Sequence, residues 1–332
     1  MGRAAAAAIA ALVVLALGSP ALGDVGATIE RVEARALPDE ELEPARETLR
    51  AAMDTPADSG RLRMALAMVE VRLDRGSKAR DLARRAVKMD PDNAQLHYMR
   101  GEICFSTIDG ASMLSKGAIA GAGRKSFERA IELDPTHLSA HIGLARFYIG
   151  APGFAGGSLE KAEDVGRRVQ ELEGGAVEGG LIIASVRARR DDWAGALAAL
   201  DGALAAADEA DLRRRVVTEG LRLAYFVVED PALAAALVDE RYADDAAPMG
   251  DSADWIAGRA LADLGRHGEA IERFRSIIDR VPEAGSTRYY LAASLEAEGA
   301  TEEARRWYES YLEARPKGDL AKDAKRALER LR

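Results

Sequence analysis

The sequence predicts an all-α fold in which pairs of helices repeat along the chain. Two observations predict it. The first is composition. Ala, Leu, Glu and Arg dominate, and aromatics are only 5% of the 332 residues; Ala and straight side chains lose little freedom in a helix. The second is a spacing. "DWIAGRALADLGRHGEAIERFRSIIDRVP" ends at Pro282, and "RYYLAASLEAEGATEEARRWYESYLEARP" ends 34 residues later at Pro316. Gly258 and Ala292, Gly265 and Gly299, Ala270 and Ala304, and Phe274 and Tyr308 keep the same interval. Self-similarity at a fixed period of this length marks a repeat array.

The N-terminal residues 1–23 read as a secretory signal peptide. Arg3 precedes an apolar run from Ala4 to Leu17, broken by Gly18, Ser19 and Pro20, with small residues at Ala21 and Gly23 for cleavage after Gly23. The run is shorter than the roughly 18–20 residues a bilayer span needs, so no membrane span is expected after cleavage; a retained anchor is the alternative. The chain is therefore expected to be exported, periplasmic or secreted.

Residues 24–59 hold one helix, "PDEELEPARETLRAAM", leading into the array. Repeats with two insertions fill 60–208. "ARDLARRAVKMDP" places Ala79, Ala86 and Pro91 in the second helix of a pair. "AQLHYMRGEICF" opens the next pair with Gly101 at the close-contact position, and "SFERAIELDP" closes it with Phe127, Ala130 and Pro135. Pro91 and Pro135 are 44 residues apart, so about ten extra residues lie within 105–124. "LSAHIGLARFYI", with Ala145, opens the third pair; its second helix starts near Ser158, an expected N-cap. The intervening "GAPGFAGG", 150–157, is five residues longer than the period requires. A fourth pair carries Ala184, Ala196 and Ala203. Residues 209–250 read as helical but fit the template poorly, with a helix start at Asp230-Pro231. Two regular repeats fill 251–316, and "AKDAKRALERL" within 317–332 is a polar-faced capping helix.

Each recurring position has a physical task. Gly258, Ala292, Ala270 and Ala304 let paired helices approach. Phe274 and Tyr308 fill the space between repeats. Gly265 and Gly299 supply a left-handed turn, and Pro282 and Pro316 stop the second helix.

These motifs resemble the tetratricopeptide repeats of bacterial proteins over roughly residues 60–316. The resemblance implies a right-handed superhelix of antiparallel helix pairs, whose inner groove, lined by the first helix of each pair, holds a protein or peptide. Counted along that helix, the groove positions include Tyr98, Glu102, Phe105, Arg146, Trp255, Arg259 and Tyr289. Trp, Tyr and Arg are frequent interface anchors. Phe154, at the centre of the second insertion, is a further contact candidate. The expected role is a non-catalytic scaffold or assembly factor of the cell envelope. Two rival readings are a ligand-binding protein or enzyme with a pocket made by the two insertions, and a structural protein self-associating through the 24–60 end.

Other chemistries find little support. A net charge of −9 with pI near 5.2 argues against a nucleic-acid partner. "GAPGFAGGSLEKA" lacks the Gly-Lys-Ser of a phosphate-binding loop, and in "GAIAGAGRKSF" Arg124 interrupts the pattern. His137 and His141 are four apart, but His97 and His141 share one repeat position, which points to packing rather than to a metal. Nothing singles out a catalytic residue or a cofactor. The lone Cys104 is expected to be buried.

Overall fold

The computed structural model describes residues 20–241 and 250–331. Most of the predicted signal peptide, and the last part of the 209–250 segment, lie outside the described residues. The fold is all-α, with 17 α-helices and no strand among the described residues. None of those helices is long and apolar enough to cross a membrane. The chain divides into two compact units, residues 1–165 and 166–332.

The first unit contains α1 (Pro20–Glu33), α2 (Leu42–Ala51), α3 (Gly60–Arg72), α4 (Gly76–Met89), α5 (Ala94–Ser106), α6 (Met113–Leu133) and α7 (Leu138–Gly150); α8 (Leu159–Glu171) spans the boundary. The expected cleavage site after Gly23 falls inside α1. The segment before the regular repeats holds a helix pair rather than one helix. Val25, Ile29 and Val32 of α1 share a core with Leu42, Ala45 and Leu49 of α2 and with Leu62, Leu66 and Val69 of α3. Side-chain caps begin several helices. Ser59 accepts from the Leu62 amide at 3.1 Å, Asn93 from Leu96 at 3.1 Å, His137 from Ala140 at 3.3 Å and Ser158 from Lys161 at 3.2 Å. Each supplies a partner to an amide that the first turn leaves without one.

Phe127 of α6 is the keystone of this unit. It is fully buried between two glycines on neighbouring helices. A Cβ on Gly101 would come within 2.4 Å of its ring, and one on Gly143 within 2.6 Å.

The ten extra residues do not form a loop between α5 and α6. α6 is 21 residues long against 14 for α4, so most of them are wound into two more N-terminal turns. "MLSKGAIAGAG" carries no proline, and its alanines favour the helix. The five-residue insertion stays a turn. Gly153–Ala155 forms one 3-10 turn, Gly156 takes φ +95°, and the Ser158 amide donates back to the Tyr148 carbonyl at 2.9 Å. A Cβ on Gly157 would lie 1.7 Å from the Ala151 carbonyl oxygen, so the reversal requires glycine there.

The second unit contains α9 (Ala176–Ala188), α10 (Trp193–Ala206), α11 (Ala210–Arg222), α12 (Pro231–Ala236), α13 (Asp251–Asp263), α14 (His267–Arg280), α15 (Gly285–Ala297), α16 (Thr301–Ala314) and α17 (Ala321–Arg330). Gly258 lies against Phe274, where a Cβ would stand 2.7 Å from the ring. Gly265 and Gly299 have φ +76° and +78°. The irregular stretch is helical with a defect: α11 and α12 each run on into a π-helical turn, Leu223–Val227 and Leu237–Arg241. Asp230 caps α12 by accepting from the Ala232 amide at 2.8 Å. At the C-terminal end, Ala321, Ala324 and Ala327 of α17 close the core formed by Leu295, Tyr308 and Tyr311.

Candidate functional site

The first helices of successive pairs line an open cleft in each unit. In the first unit the cleft measures about 850 Å³ and runs across the end of α1, α3 and α5. Its apolar wall includes Val32, Leu37, Met68, Val71, Met99 and Ile103; its polar residues include Arg35, Arg61, Gln95, Tyr98 and Glu102. Residues 61, 68 and 71 of α3 and 95, 98 and 102 of α5 recur at helical spacing, which brings them onto one face.

Two of the expected residues, Tyr98 and Glu102, meet at the floor of this cleft. The Tyr98 ring lies 5.1 Å from His137 and 6.1 Å from Phe127. Burial, then the Glu102 charge, raises its pKa, while a bond to Ser139 offsets this in part. Burial also raises the Glu102 pKa above the ordinary carboxylate value, against the pull of Arg146 and Arg35. A folded pKa above the unfolded one means that the native chain holds its proton more tightly. Stability from this group is complete below the unfolded pKa and is lost as pH rises through the folded value. Glu102→Gln is therefore expected to raise the thermal midpoint at pH 7 and leave it unchanged near pH 4, in calorimetric scans of both proteins at both pH values. An unchanged midpoint at pH 7 would show that Glu102 bears no desolvation cost.

In the second unit the cleft measures about 630 Å³ and is lined from α11, α13 and α15, with Arg222, Phe226, Ser252, Trp255, Ile256 and Thr287 among its residues. An aromatic cluster surrounds Arg259 beside it. The guanidinium carbon lies 4.0 Å from the Tyr290 ring centre, 5.3 Å from Trp255 and 5.9 Å from Tyr225. The half-exposed Phe226 lies nearly parallel to Trp255 at 6.5 Å. The Tyr225 hydroxyl donates to Asp263 Oδ2 at 2.6 Å. Burial, then that bond, pushes its pKa up to about 12. The Trp255 Nε1–H is buried with no acceptor among the described residues, so a donor stands unused beside the cleft.

The remaining expected residues are distributed differently. Arg146 is exposed on α7 and acts on Tyr98 and Glu102 through its charge. Phe105 does not line the cleft; its ring stacks on Phe127 at 5.6 Å and meets Phe147 edge-on at 5.8 Å. Tyr289 packs between Tyr308 and Tyr311, at 5.6 and 5.8 Å, with the charges of α17 nearby. Phe154 is 96% exposed. Three of the four histidines are held by the chain itself. His97 Nε2–H donates to the Pro91 carbonyl at 2.9 Å and His141 Nε2–H to that of Pro135 at 3.1 Å, one repeat apart, while His137 Nε2 meets Gln95 Oε1 at 3.0 Å.

Tyr225, Phe226 and Tyr290 are absent from the residues expected on sequence grounds. The first two sit on the π-helical turn, which adds a residue to the helical register and so defeats counting by period. The one available signal was an aromatic pair in an otherwise aliphatic run, "RLAYFVVED".

Comparison with known proteins agrees with this architecture. Family models described as tetratricopeptide repeat match residues 223–284, 257–319 and 60–103. The match thus reaches back across part of the irregular stretch. No curated protein matches the chain. Among solved structures, a tetratricopeptide repeat protein from Parabacteroides merdae has a TM-score of 0.54 at 13% identity, over 83% of this chain and 100% of that one. Yeast Tom70 has a TM-score of 0.58 at 14% identity, over 88% of this chain and 59% of that one. At such identities the likeness is one of fold.

Proposed function

For a chain that carries tetratricopeptide repeats, we propose a non-catalytic role as an exported scaffold or assembly factor that holds a protein or peptide in its helix-lined clefts. The observation that carries this reading is the cluster of Trp255, Phe226, Tyr225 and Tyr290 around Arg259. Tyr and Trp supply large contact area on few rotatable bonds, and Arg joins them among the frequent interface anchors. Here they are positioned before any partner arrives, which lowers the ordering cost of binding. The unused Trp255 donor suits a peptide carbonyl. In the first unit, Tyr98 and Glu102 would serve the same purpose, with Arg146 at the margin. The export part of the proposal rests on residues 1–23 and is tested by cell fractionation; a full-length cytoplasmic product would exclude it.

Partner capture tests the binding reading. Cross-linking of the tagged chain in an envelope extract, followed by affinity measurement with the recovered partner, is expected to show a loss of about 2 kcal/mol, roughly 30-fold, for Trp255→Ala. A smaller loss is expected for Tyr98→Ala. The proposal fails if both variants retain the affinity of the parent chain for each partner recovered.

A further inference from the structure

Arg259 of α13 is a cation without an anion. Its guanidinium carbon lies over the Tyr290 ring at 4.0 Å and over Trp255 at 5.3 Å. Among the described residues, no carboxylate stands within 4.0 Å of it and no acceptor takes a hydrogen bond from it. Rings hold a guanidinium in place but leave its N–H donors unsatisfied. The carboxylates around it are engaged elsewhere. Asp263, one turn on, accepts the Tyr225 hydroxyl at 2.6 Å. Asp251 and Asp254 bind Arg280 at 2.9 and 2.7 Å, and Glu219 holds Arg222 in a fork.

A second arginine of the same unit has no carboxylate either. Arg189, at the end of α9, donates to the Ser185 hydroxyl at 3.1 Å, and among the described residues it makes no ion pair. Partial burial, then the charge of Arg222, pulls its pKa below the ordinary arginine value, against the pull of Glu219. Arg189 and Arg222 are therefore neighbours. Arg222 and Phe226 both line the cleft, and Phe226 lies parallel to Trp255 at 6.5 Å, next to Arg259. A strip thus runs from cation across two rings to cation, bordered by the apolar Ile256, Ile277 and Val281. A continuous polyanion fits this poorly, because the charges are separated by apolar surface and the chain carries −9 overall. Acidic side chains interleaved with apolar ones fit it well.

We infer, on the reading that the clefts hold a peptide, that the cleft of the second unit selects an acidic segment of a protein partner. One Asp or Glu side chain meets Arg259, an apolar or aromatic neighbour lies on Phe226 and Trp255, and a further acid meets Arg189. The charge-assisted bonds supply specificity, and the rings supply contact area.

Peptide selection on the full chain tests this. Short peptides, amidated at the C-terminus so that only side chains offer carboxylates, are immobilised in acidic, neutral, basic and phosphoserine-containing sets on one aromatic and aliphatic background. The acidic set is expected to be retained best. By fluorescence anisotropy its members are expected to bind Arg259→Gln at least about tenfold more weakly than the parent chain. Arg259→Lys, which keeps the charge and loses the fork, should fall between the two. Arg189→Gln, outside the aromatic cluster, should cost about threefold. Neutral or basic peptides held as tightly as acidic ones overturn the inference and leave the peptide-binding reading standing. Acidic binding that Arg259→Gln leaves unchanged, in a chain of parent helicity, does the same; should that variant fail to fold, unchanged binding by Arg189→Gln decides in its place. Preference for the phosphoserine set also overturns it, since phosphate would then be the ligand. Retention of no set at all contradicts both readings.

Discussion

Phe127→Ala is expected to destabilise the first unit by about 3–5 kcal/mol. The ring is fully buried and fills a space bounded by Gly101 and Gly143, with Phe105 stacked on it and Tyr98 close by. Those glycines have no side chains that could move inward. The two helix backbones would have to close the gap, and each is held by its own pair. The cavity should therefore persist, which places the loss toward the upper end for such truncations. Domain stability is only about 5–15 kcal/mol, so a large part of the total is at stake. Urea unfolding followed by helical circular dichroism measures it. Phe154→Ala, in contrast, should change stability by no more than about 0.5 kcal/mol, as exposed substitutions generally do. A loss below about 1 kcal/mol for Phe127→Ala would show that α5, α6 and α7 repack freely.

The second large effect is expected from Asp254→Ala in the second unit. This carboxylate is 4% exposed and accepts from Arg273 Nη1 at 3.0 Å and from Arg280 Nη2 at 2.7 Å. It ties α13 to the far half of α14. Removal of one partner of a buried ion pair costs about 3–5 kcal/mol because the remaining charge is left uncompensated. The arginine side chains here are about one-third exposed and can regain some water, so the lower end, about 3 kcal/mol, is expected. Asp251 binds the same Arg280 at 2.9 Å from an exposed position, and Asp251→Ala should cost at most about 1 kcal/mol. Denaturant titration of the two variants side by side tests the contrast. Equal losses would refute the claim that burial decides the worth of these pairs. Asp254 immediately precedes Trp255, so its loss should also weaken partner binding.

Several features of the molecule were legible in the sequence because they arise from side-chain volume at fixed intervals. A glycine or alanine where helices touch, a ring between repeats and a proline after the second helix each do their work locally, and Gly258, Phe274 and Gly265 occupy such places in the structure. The two insertions were visible as departures from the period. Their conformations were less visible: one is wound into helix because its alanines and the absence of proline permit it, and the other stays a turn because Gly156 and Gly157 admit backbone geometry closed to other residues.

The clefts were legible only in part. Counting along the first helix reached Tyr98, Glu102, Trp255 and Arg259. It also reached Phe105 and Tyr289, whose partly buried rings pack against Phe127 and Tyr308, and it passed over Tyr225, Phe226 and Tyr290. Helical period, pairing and the order of repeats are local properties, set by propensity and by the size of each side chain. The direction in which a ring turns is not local. Tyr289 and Tyr290 are adjacent and chemically identical, yet one packs against Tyr308 of α16 and the other lies against Arg259. That difference depends on which helix packs beside each residue. In the stretch before α13 it depends as well on a π-helical turn that displaces the register by the residue on which the aromatic cluster depends.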